Sequence, residues 1–281
     1  MTKIYDELMK YQKLGLSAVI VTVVDVKGTS PVEVGKKMVV SELNDALGTV
    51  GGGALEYYAR EHCKEIIETR ESKLEKYLLD EGKIIPDAKT LPMVCGGNVT
   101  LFYEYIGYSN YIYIFGGGHV GQALMNILKT LNYHVTMIDE RKEVYEVFKG
   151  ANQKFHMKFS DFIDQESIKK GSYVVVCTPS HKHDYNVINK IIAKKLEPEY
   201  IGMLCSPKKL EEYIKLTKET FGVDINLSNF YSPIGLDLGG GSPEEIAIAI
   251  TAEMMAVSNG KKHHQHMRET ENNDQYHYWK N

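Results

Sequence analysis

The chain has 281 residues, of which 43% are hydrophobic and 25% charged, a composition typical of a folded globular protein with a sizeable core. Lysine and arginine number 33 against 37 acidic residues, and this near-neutral balance argues against general nucleic-acid binding. The apolar runs are too short to span a membrane, and the charged N-terminal segment lacks the apolar core of a signal peptide. We therefore expect a cytoplasmic protein whose four cysteines are thiols.

Residues 1–107 are predicted to form a small mixed α+β domain. Stretches rich in β-branched residues at 17–26, 37–40 and 99–106 predict strands, and the partial apolar face of 54–69 predicts a helix. The segment 71–92 begins with polar residues and contains two prolines, so it is predicted to hold surface helix and loop.

Residues 108–257 alternate regularly between apolar strands and amphipathic helices. The predicted strands lie at 111–115, 134–138, 173–177 and 200–204, and the predicted helices at 122–131, 185–195 and 244–257. Parallel strands joined by helices form a doubly wound sheet, so we predict an α/β protein with a Rossmann-like domain after the smaller α+β domain. A capping box from Ser242 to Glu245 is expected to open the last helix. Residues 258–281 are polar and are expected to form a disordered tail.

A glycine-rich turn follows the strand at 111–115. The residues from Gly116 to Gly121 form the pattern G-x-G-x-x-G at the start of a helix. In this pattern Gly116 permits the tight turn, Gly118 lets a phosphate approach the backbone, and Gly121 lets the helix pack on the strand. The helix N-terminus then offers N–H groups to an anion. Binding of a nucleotide or another phosphate ligand is favoured over the alternative that the glycines serve only the geometry of the turn. His119 either contacts the phosphate or is solvated.

An acidic residue, Asp139, ends the next predicted strand. Its distance from the glycine turn is close to the offset of about 20 residues at which a carboxylate accepts hydrogen bonds from ribose hydroxyls. Arg141 could reach a 2′-phosphate, but Asp139 would repel one. NAD-like ligands or adenine ribonucleotides are therefore favoured over NADP.

Two further glycine clusters lie in the N-terminal half. Gly51, Gly52 and Gly53 precede the helix that carries Glu56, which predicts a second anion site at that helix N-terminus. Cys95 stands beside Gly96 and Gly97, whose backbone donors could stabilise a thiolate that acts as a soft metal ligand or a sulfur carrier. A small buried cysteine is the equal alternative for Cys95. For Cys177, inside an apolar strand, burial is expected.

The most specific stretch is PIGLDLGGGSPEEIA, at residues 233–247. With GTSP at 28–31, VGGGALE at 50–56, CGG at 95–97, FGGGHVG at 115–121 and YIGM at 200–203, it resembles the XdhC/CoxI family. The order and spacing of these segments carry the resemblance over most of residues 17–257. Members of that family are accessory proteins of xanthine dehydrogenase and related molybdenum hydroxylases.

The resemblance implies a cofactor chaperone more than an enzyme. Such proteins bind the molybdenum cofactor as cargo and help to deliver its sulfurated form to an apo-hydroxylase; a sulfur donor and a homodimeric state are also expected. The phosphate on the cofactor's pterin suits glycine-lined anion sites, and its soft metal suits a thiol. The residues expected to bind the cofactor are Gly51, Gly52, Gly53, Glu56, Cys95, Gly96, Gly97, Gly116, Gly118, His119, Gly121, Asp139, Asp237, Gly239, Gly240 and Ser242. Cys95 is also the expected metal ligand.

Two other functions compete with the chaperone. One is a nicotinamide-dependent oxidoreductase, for which bound NAD or a related nucleotide would be the cofactor; the other is a nucleotide-sensing regulatory domain. Neither requires the glycine clusters outside the Rossmann turn. His181, His183 and Asp184 open a predicted helix, where capping or lining a cleft is favoured over metal binding.

Overall fold

A computed structural model of the chain describes residues 2–30, 32–80, 86, 88–93, 96–166, 168–222 and 227–261. The chain divides into two compact units, Met1–Ser109 and Asn110–Asn281. Within the described ranges, no helix is both long enough and apolar enough to cross a membrane.

The first unit is built on one six-stranded sheet. Its elements are α1 (Thr2–Lys13), β1 (Ala18–Lys27), β2 (Lys37–Ser41), β3 (Ala46–Gly48), α2 (Gly53–Thr69), β4 (Lys73–Leu78), β5 (Lys89–Thr90) and β6 (Asn98–Ile106). The strand order is β3-β2-β1-β6-β4-β5. Neighbouring strands are antiparallel except β4 and β5, which are parallel.

Strand alternation divides the core of this unit between the two faces of the sheet. Val19, Val21 and Val23 of β1 belong to the same buried cluster as the apolar face of α2, whereas Ala18 and Ile20 belong to the cluster that includes Leu8 and Tyr11 of α1. This follows because successive side chains of a strand point to opposite faces. The helix α2 meets the sheet through Leu55, Ala59, Cys63 and Ile66, which recur at helical spacing.

For 71–92 the predicted surface helix was wrong, because the described residues of this segment form β4, β5 and loop. Along β4 the side chains alternate in exposure until Tyr77 and Leu78, which are buried. The strand is fixed by its antiparallel pairing with β6 and by a hydrogen bond of 2.7 Å between the hydroxyls of Tyr77 and Tyr103. Three of the six residues of β4 are charged, two of them lysines. Lysine and glutamate are depleted in strands and typical of surface helices, so the sequence did not predict a strand here.

The second unit is a parallel sheet with helices between its strands. Its elements are β7 (Asn110–Phe115), α3 (His119–Leu128), β8 (Tyr133–Asp139), α4 (Lys142–Val147), β9 (Gln153–His156), α5 (Phe159–Gln165), β10 (Tyr173–Val176), α6 (His181–Ala193), β11 (Tyr200–Met203), α7 (Pro207–Phe221), β12 (Phe230–Tyr231) and α8 (Pro243–Ser258). All paired neighbours are parallel, in the order β9-β8-β7-β10-β11-β12. Counted from β7, this is the order 3-2-1-4-5-6 of the Rossmann fold, which confirms the predicted fold class.

The central strands of this sheet are buried on both faces. Every residue of β7, β10 and β11 is buried, as expected when helices cover a parallel sheet on either side. Leu124 of α3 and Ile250 of α8 share one apolar cluster with the sheet. From another helix, the ring of Phe162 in α5 contacts the rings of Tyr113 and Phe115 in β7.

The predicted start of the last helix is confirmed in detail. Ser242 is the N-cap of α8: its hydroxyl accepts from the Glu245 N–H at 3.3 Å, and the Glu245 carboxylate accepts from the Ser242 N–H at 2.9 Å. Pro243 opens the helix, where its missing N–H costs no hydrogen bond. The helix ends at Ser258, and residues 262–281 of the predicted tail lie outside the described residues.

Candidate functional site

The crevice at the carboxyl ends of β7 and β10 is the natural ligand site of this fold. At this point the strand order reverses, so the loops that leave the two strands diverge. The two loops are bonded together at their base. The Cys177 N–H donates to the Phe115 carbonyl at 2.9 Å, and the Cys177 thiol donates to the Gly116 carbonyl at 3.2 Å.

The glycine turn has the backbone geometry that its sequence predicted. Gly116 has φ +112°, and a Cβ there would lie 2.4 Å from the Cys177 carbonyl oxygen, so only glycine fits. A Cβ at Gly121 would lie 2.1 Å from the Gly116 carbonyl oxygen, which explains how closely α3 approaches the turn. Gly118 differs, because its φ is −67° and the nearest atom to an added Cβ is Arg141 Nη2 at 3.8 Å. The space in front of Gly118 is therefore open to a ligand.

These distances predict a stability difference between two alanine substitutions in the same turn. Gly121→Ala forces its methyl group against a backbone oxygen and is expected to destabilise the protein by about 1–3 kcal/mol. Gly118→Ala makes only ordinary contacts, so its cost is that of a poorer N-cap residue, about 0.5–1 kcal/mol. Urea unfolding of both variants measures the difference. Equal stabilities would show that α3 does not approach the turn as described.

Asp139 lies at the end of β8, fully buried, and both of its carboxylate oxygens face donors of the chain itself. Oδ2 accepts from the Gly117 N–H at 2.8 Å and from Arg141 Nη2 at 2.7 Å. Oδ1 accepts from the backbone N–H and from Nε of Arg141, both at 2.9 Å. The side chain has no exposed surface. The expectation that Asp139 accepts hydrogen bonds from ribose hydroxyls therefore has no support in this geometry, because the carboxylate instead ties Arg141 to the glycine turn.

The Asp139–Arg141 pair is charged over the physiological pH range. Burial alone would raise the pKa of Asp139, but the hydrogen bonds from Arg141 and from the Gly117 N–H outweigh it and hold this pKa below its usual value. The hydrogen bond to Asp139 in turn raises the pKa of Arg141. The guanidinium side chain remains about one-third exposed, at 32%.

The N-terminus of α3 has no side-chain cap. Gly118 is its N-cap residue, and its first turn contains no acidic residue. His119, the first residue of the helix, is exposed beside the turn. A helix N-terminus without an acceptor of its own favours an anion from outside.

The glycine cluster before α2 is arranged differently from the predicted anion site. The Glu56 carboxylate accepts from the Thr49 hydroxyl at 2.6 Å and from the Gly52 N–H at 3.3 Å, and the Gly51 N–H donates to the Thr49 hydroxyl at 3.1 Å. Gly51, Gly52 and Gly53 all have positive φ. A carboxylate of the chain thus already lies at this helix N-terminus, where it would repel a second anion.

In the glycine run before α8, a glutamate of the helix likewise accepts hydrogen bonds from the backbone of the glycine loop. The Glu245 carboxylate accepts from the Gly241 and Ser242 N–H groups at 2.9 Å each, and these bonds lower the pKa of Glu245. Gly240 has φ +84°, and a Cβ there would lie 2.5 Å from the Glu245 carboxyl carbon. These glycines let the backbone wrap around a glutamate. Asp237 and Gly239 are exposed in the same loop.

A cleft of about 400 Å³ lies between this loop and α8. Its walls are mostly apolar and are formed by Leu204, Pro233, Ile234, Gly235, Leu236, Asp237, Leu238, Gly239, Gly240, Glu245, Ile246 and Ala249. Cys205, the next residue after Leu204, places its sulfur 3.0 Å from the Ser232 hydroxyl. The cleft begins at Leu204, directly after β11, and so lies at the carboxyl end of the sheet.

Cys95 lies outside the described residues, but its two glycine neighbours are described. The Gly96 N–H donates to the Leu79 carbonyl and the Leu79 N–H donates to the Gly97 carbonyl, both at 2.8 Å. A Cβ at Gly97 would lie 2.4 Å from the Thr29 carbonyl oxygen. The expectation that the Gly96 N–H is available to a Cys95 thiolate was therefore wrong, because a neighbouring strand end takes it.

Cys177 lies in the crevice, yet it is poorly suited to act as a nucleophile. Burial raises the pKa of its thiol to about 12. At pH 8 the thiolate fraction is then on the order of 10³ lower than for a thiol with the usual pKa of about 8.5. We expect iodoacetamide to alkylate Cys177 on the order of 10³ times more slowly in the folded protein than in urea. Mass spectrometry of the labelled peptides measures both rates; similar rates would show an accessible thiolate.

Asp184, in the first turn of α6, has a structural role. Asp184 is buried and accepts from the Thr178 N–H at 3.1 Å and from the Thr178 hydroxyl at 2.6 Å, while the Ser180 hydroxyl caps the helix. Burial raises the pKa of Asp184. Nε2 of His183 lies 3.5 Å from the Glu140 carboxylate. Across the described part of the chain, no three His, Cys, Asp or Glu side chains are grouped as a metal site.

The sequence alone indicates Arg141 only as a contact for a 2′-phosphate. The sequence feature that could have predicted its pairing with Asp139 is the spacing D-x-R directly after a strand. This spacing lets the arginine side chain fold back onto the preceding carboxylate. Of the expected residues, Gly116, Gly118, His119, Gly121 and Asp139 belong to one turn and its neighbouring strand end. In the same unit, Asp237, Gly239, Gly240 and Ser242 belong to the loop before α8.

Two family models match the chain. The model described as the XdhC Rossmann domain matches residues 112–254, about half of the chain. The model described as the XdhC and CoxI family matches residues 12–78. The first match covers the parallel sheet and the glycine turn of the second unit, and the second match lies within the first unit.

Individual relatives are more distant. The Escherichia coli (strain K12) protein YqeB is 23% identical over 260 residues, covering 91% of this chain and 46% of YqeB. A Bacillus subtilis (strain 168) protein described as a probable subunit of xanthine dehydrogenase is 28% identical over 144 residues, 50% of this chain and 41% of that protein. The chain thus spans less than half the length of these curated relatives. A crystal structure of a xanthine dehydrogenase from Bacillus halodurans matches with a TM-score of 0.48 and 17% identity, over 92% of this chain and 96% of the other.

The resemblance inferred from the glycine clusters is therefore confirmed by models that match both halves of the sequence. The parallel sheet, its strand order and its glycine turn coincide with the matched Rossmann domain. This chain belongs to the XdhC and CoxI family.

Proposed function

We propose that this protein is an accessory factor of a xanthine-dehydrogenase-type molybdenum hydroxylase. In this role it binds the molybdenum cofactor as cargo and assists its sulfuration and insertion into the apo-enzyme, together with a sulfur donor. Membership of the XdhC and CoxI family supports the proposal, as does the similarity to the Bacillus subtilis protein described as a probable part of xanthine dehydrogenase.

The observation that carries a ligand-binding role is the glycine turn at the carboxyl end of β7. Of the described glycine clusters before α2, α3 and α8, those before α2 and α8 are bonded by Glu56 and Glu245 of the chain itself. In the cluster before α3 the Asp139 carboxylate accepts from the Gly117 N–H, but Arg141 neutralises its charge. The helix α3 itself has no side-chain cap, and the approach to Gly118 is open. A phosphate on the pterin or on an attached nucleotide would fit this place, because the N–H groups of a first helical turn bind anions.

In this proposal the chain contributes binding and protection rather than bond-making. Gly116, Gly118 and Gly121 shape the backbone that meets the phosphate, and His119 lies at its edge. The apolar cleft beside α8, with Asp237 and Gly239 in its wall, is suited to a flat ring of a pterin or base. Cys95 remains the proposed thiol partner of the molybdenum, on the grounds of its chemistry alone.

A nicotinamide-dependent oxidoreductase is the second candidate, favoured by the strand order 3-2-1-4-5-6. The occupied carboxylate of Asp139 counts against it, because a dinucleotide then lacks the usual acceptor for its ribose hydroxyls. Purified protein that turns over an NAD(H) couple would favour the oxidoreductase. Protein without turnover that nevertheless retains a pterin would favour the chaperone.

Reconstitution of an apo-hydroxylase tests the accessory role. Protein purified with its cargo is mixed with the apo-enzyme, and hydroxylase activity is followed with time. We expect faster and more complete activation than with an equal amount of released cofactor, because the carrier shields the cofactor from water and oxygen. Equal activation by both sources would contradict the accessory role.

We further propose that the protein forms a homodimer, as the family resemblance suggests. The mass of one chain is 31.8 kDa. Sedimentation equilibrium at micromolar concentration is expected to give about twice this mass, independent of bound cargo. A single species at the mass of one chain would contradict the dimer.

A further inference from the structure

Asp139 and Arg141 form a hydrogen-bonded ion pair beside the glycine turn, and the proposed function assigns this pair no role. The carboxylate faces inward with four donors around it, from Gly117 and from the backbone, Nε and Nη2 of Arg141. The guanidinium lies on the solvent side of the same pair, since Arg141 is about one-third exposed and Asp139 is fully buried. The acid is therefore hidden from a ligand in the turn, while the cation is presented to it.

The position of the guanidinium relative to the turn is specific. Nη2 of Arg141 lies 3.8 Å from the place that a Cβ of Gly118 would occupy, which is the space expected to receive a phosphate. The two bonds from Nε and Nη2 to one carboxylate fix the plane of the guanidinium. A guanidinium carries five N–H donors, and these two bonds leave donor capacity on its outer edge.

We propose that Arg141 binds the phosphate of the ligand in the glycine turn, and that Asp139 is a positioning residue that holds the guanidinium there rather than an acceptor for ribose. This inference rests on the proposed function, because it assumes that the turn receives a phosphorylated ligand. It names the ligand chemistry as a phosphomonoester, and it withdraws the preference for NAD-like ligands that depended on Asp139 reaching a ribose.

Charge explains the choice of a phosphomonoester. Near neutral pH such a group carries close to two negative charges, whereas a phosphodiester carries one. A cation and an uncapped helix N-terminus at the same point both gain from the additional charge. Ribose hydroxyls, by contrast, do not reach the Asp139 carboxylate, which has no exposed surface. Both a phosphorylated pterin and a nucleoside monophosphate carry the required group.

Titration calorimetry on the full-length protein can separate these contributions. The pterin probes are 6-hydroxymethylpterin phosphate and 6-hydroxymethylpterin. The nucleotide probes are adenosine 5′-monophosphate, its 2′,3′-dideoxy analogue and its 5′-methyl ester. We expect wild type to bind at least one phosphomonoester, with the unphosphorylated pterin and the methyl ester weaker by about tenfold and the dideoxy analogue within about twofold of its parent. The pterin and nucleotide arms show which source is preferred.

Three variants and one control then locate the effect. Arg141→Gln is expected to weaken phosphomonoester binding by about tenfold or more. Arg141→Lys should restore only part of this, because an ammonium keeps the charge but not the two-point grip on Asp139. Asp139→Asn should weaken binding in wild type but add less than about twofold to Arg141→Gln, since it acts only through the arginine. Lys142→Gln removes an exposed neighbouring charge and should change nothing.

The outcomes distinguish the role of Arg141 from the existence of the phosphate site. Wild-type affinity in Arg141→Gln, a tenfold loss with the dideoxy analogue, or an effect of Asp139→Asn that persists without Arg141 would each overturn this inference while leaving a ligand site in the turn. Wild-type protein that binds none of the probes would overturn the phosphate site itself. Thermal melting of each variant confirms that it is folded before its affinity is compared.

Discussion

Gly118→Val is expected to abolish binding of the phosphorylated cargo while the Rossmann unit stays folded. The φ of −67° at Gly118 is open to any residue, and an added Cβ would meet only Arg141 Nη2, at 3.8 Å. The valine methyl groups would fill the space in which phosphate meets the backbone N–H groups. Loss of two charge-assisted hydrogen bonds at about 1.5–3 kcal/mol each corresponds to a fall in affinity of about 100-fold or more.

A valine is a poor N-cap residue, so a small loss of stability of about 1 kcal/mol is expected as well. Calorimetric titration with the phosphorylated probe, at a temperature well below the melting transition of the variant, separates the two effects. Gly241→Val is the matched control, because an added Cβ there meets nothing within 4 Å and the change leaves the glycine turn intact. Unchanged affinity in folded Gly118→Val would remove the turn from the ligand site, and a loss in Gly241→Val alone would move the site to the loop before α8.

The second large effect is expected at Cys95. Cys95→Ser keeps the size of the side chain but replaces a soft sulfur ligand with a hard oxygen, so molybdenum retention should fall more than retention of a metal-free pterin. The measured quantities are the molar ratios of molybdenum and of pterin to protein after anaerobic purification. If the thiolate is a metal ligand or a sulfur carrier, activation of the apo-hydroxylase should be lost together with the molybdenum.

Cys177→Ser provides the comparison for Cys95. The Cys177 thiol has a pKa raised by burial and donates to the Gly116 carbonyl, so its replacement should alter stability but not the ratio of molybdenum to pterin. The structure already takes away one argument for a reactive Cys95, since the Gly96 N–H is bonded to Leu79. Normal cofactor content and normal activation by Cys95→Ser would make this cysteine structural and leave the chaperone role to the glycine turn.

The Rossmann unit was predictable because its signals are local. Each central strand is a short apolar run buried on both faces, and Gly116 and Gly121 meet backbone constraints that the sequence pattern of the turn predicts. The capping box at Ser242 and Glu245 was predictable for the same reason, because both partners lie within one helical turn.

The parts that sequence reasoning missed depend on pairing over distance or on the direction of a side chain. β4 has too many charges to predict a strand, and it forms because β6 offers it a partner and Tyr103 a hydroxyl. Spacing placed a carboxylate at the end of β8, but it could not show that Arg141 would surround that carboxylate. Likewise, the glycine cluster before α2 predicts an anion site until Glu56 is seen to fold back onto it.

The most direct test of the central claim is to co-express the protein with an intact molybdenum cofactor synthesis pathway, purify it without oxygen, and assay the denatured sample. Released pterin, molybdenum and nicotinamide are measured against protein in the same preparation, with Gly118→Val prepared in parallel. We expect wild type to carry pterin and molybdenum in similar molar amounts, little nicotinamide, and Gly118→Val to carry neither pterin nor molybdenum. Wild-type protein that carries nicotinamide without pterin, or equal pterin in both preparations, would contradict the account.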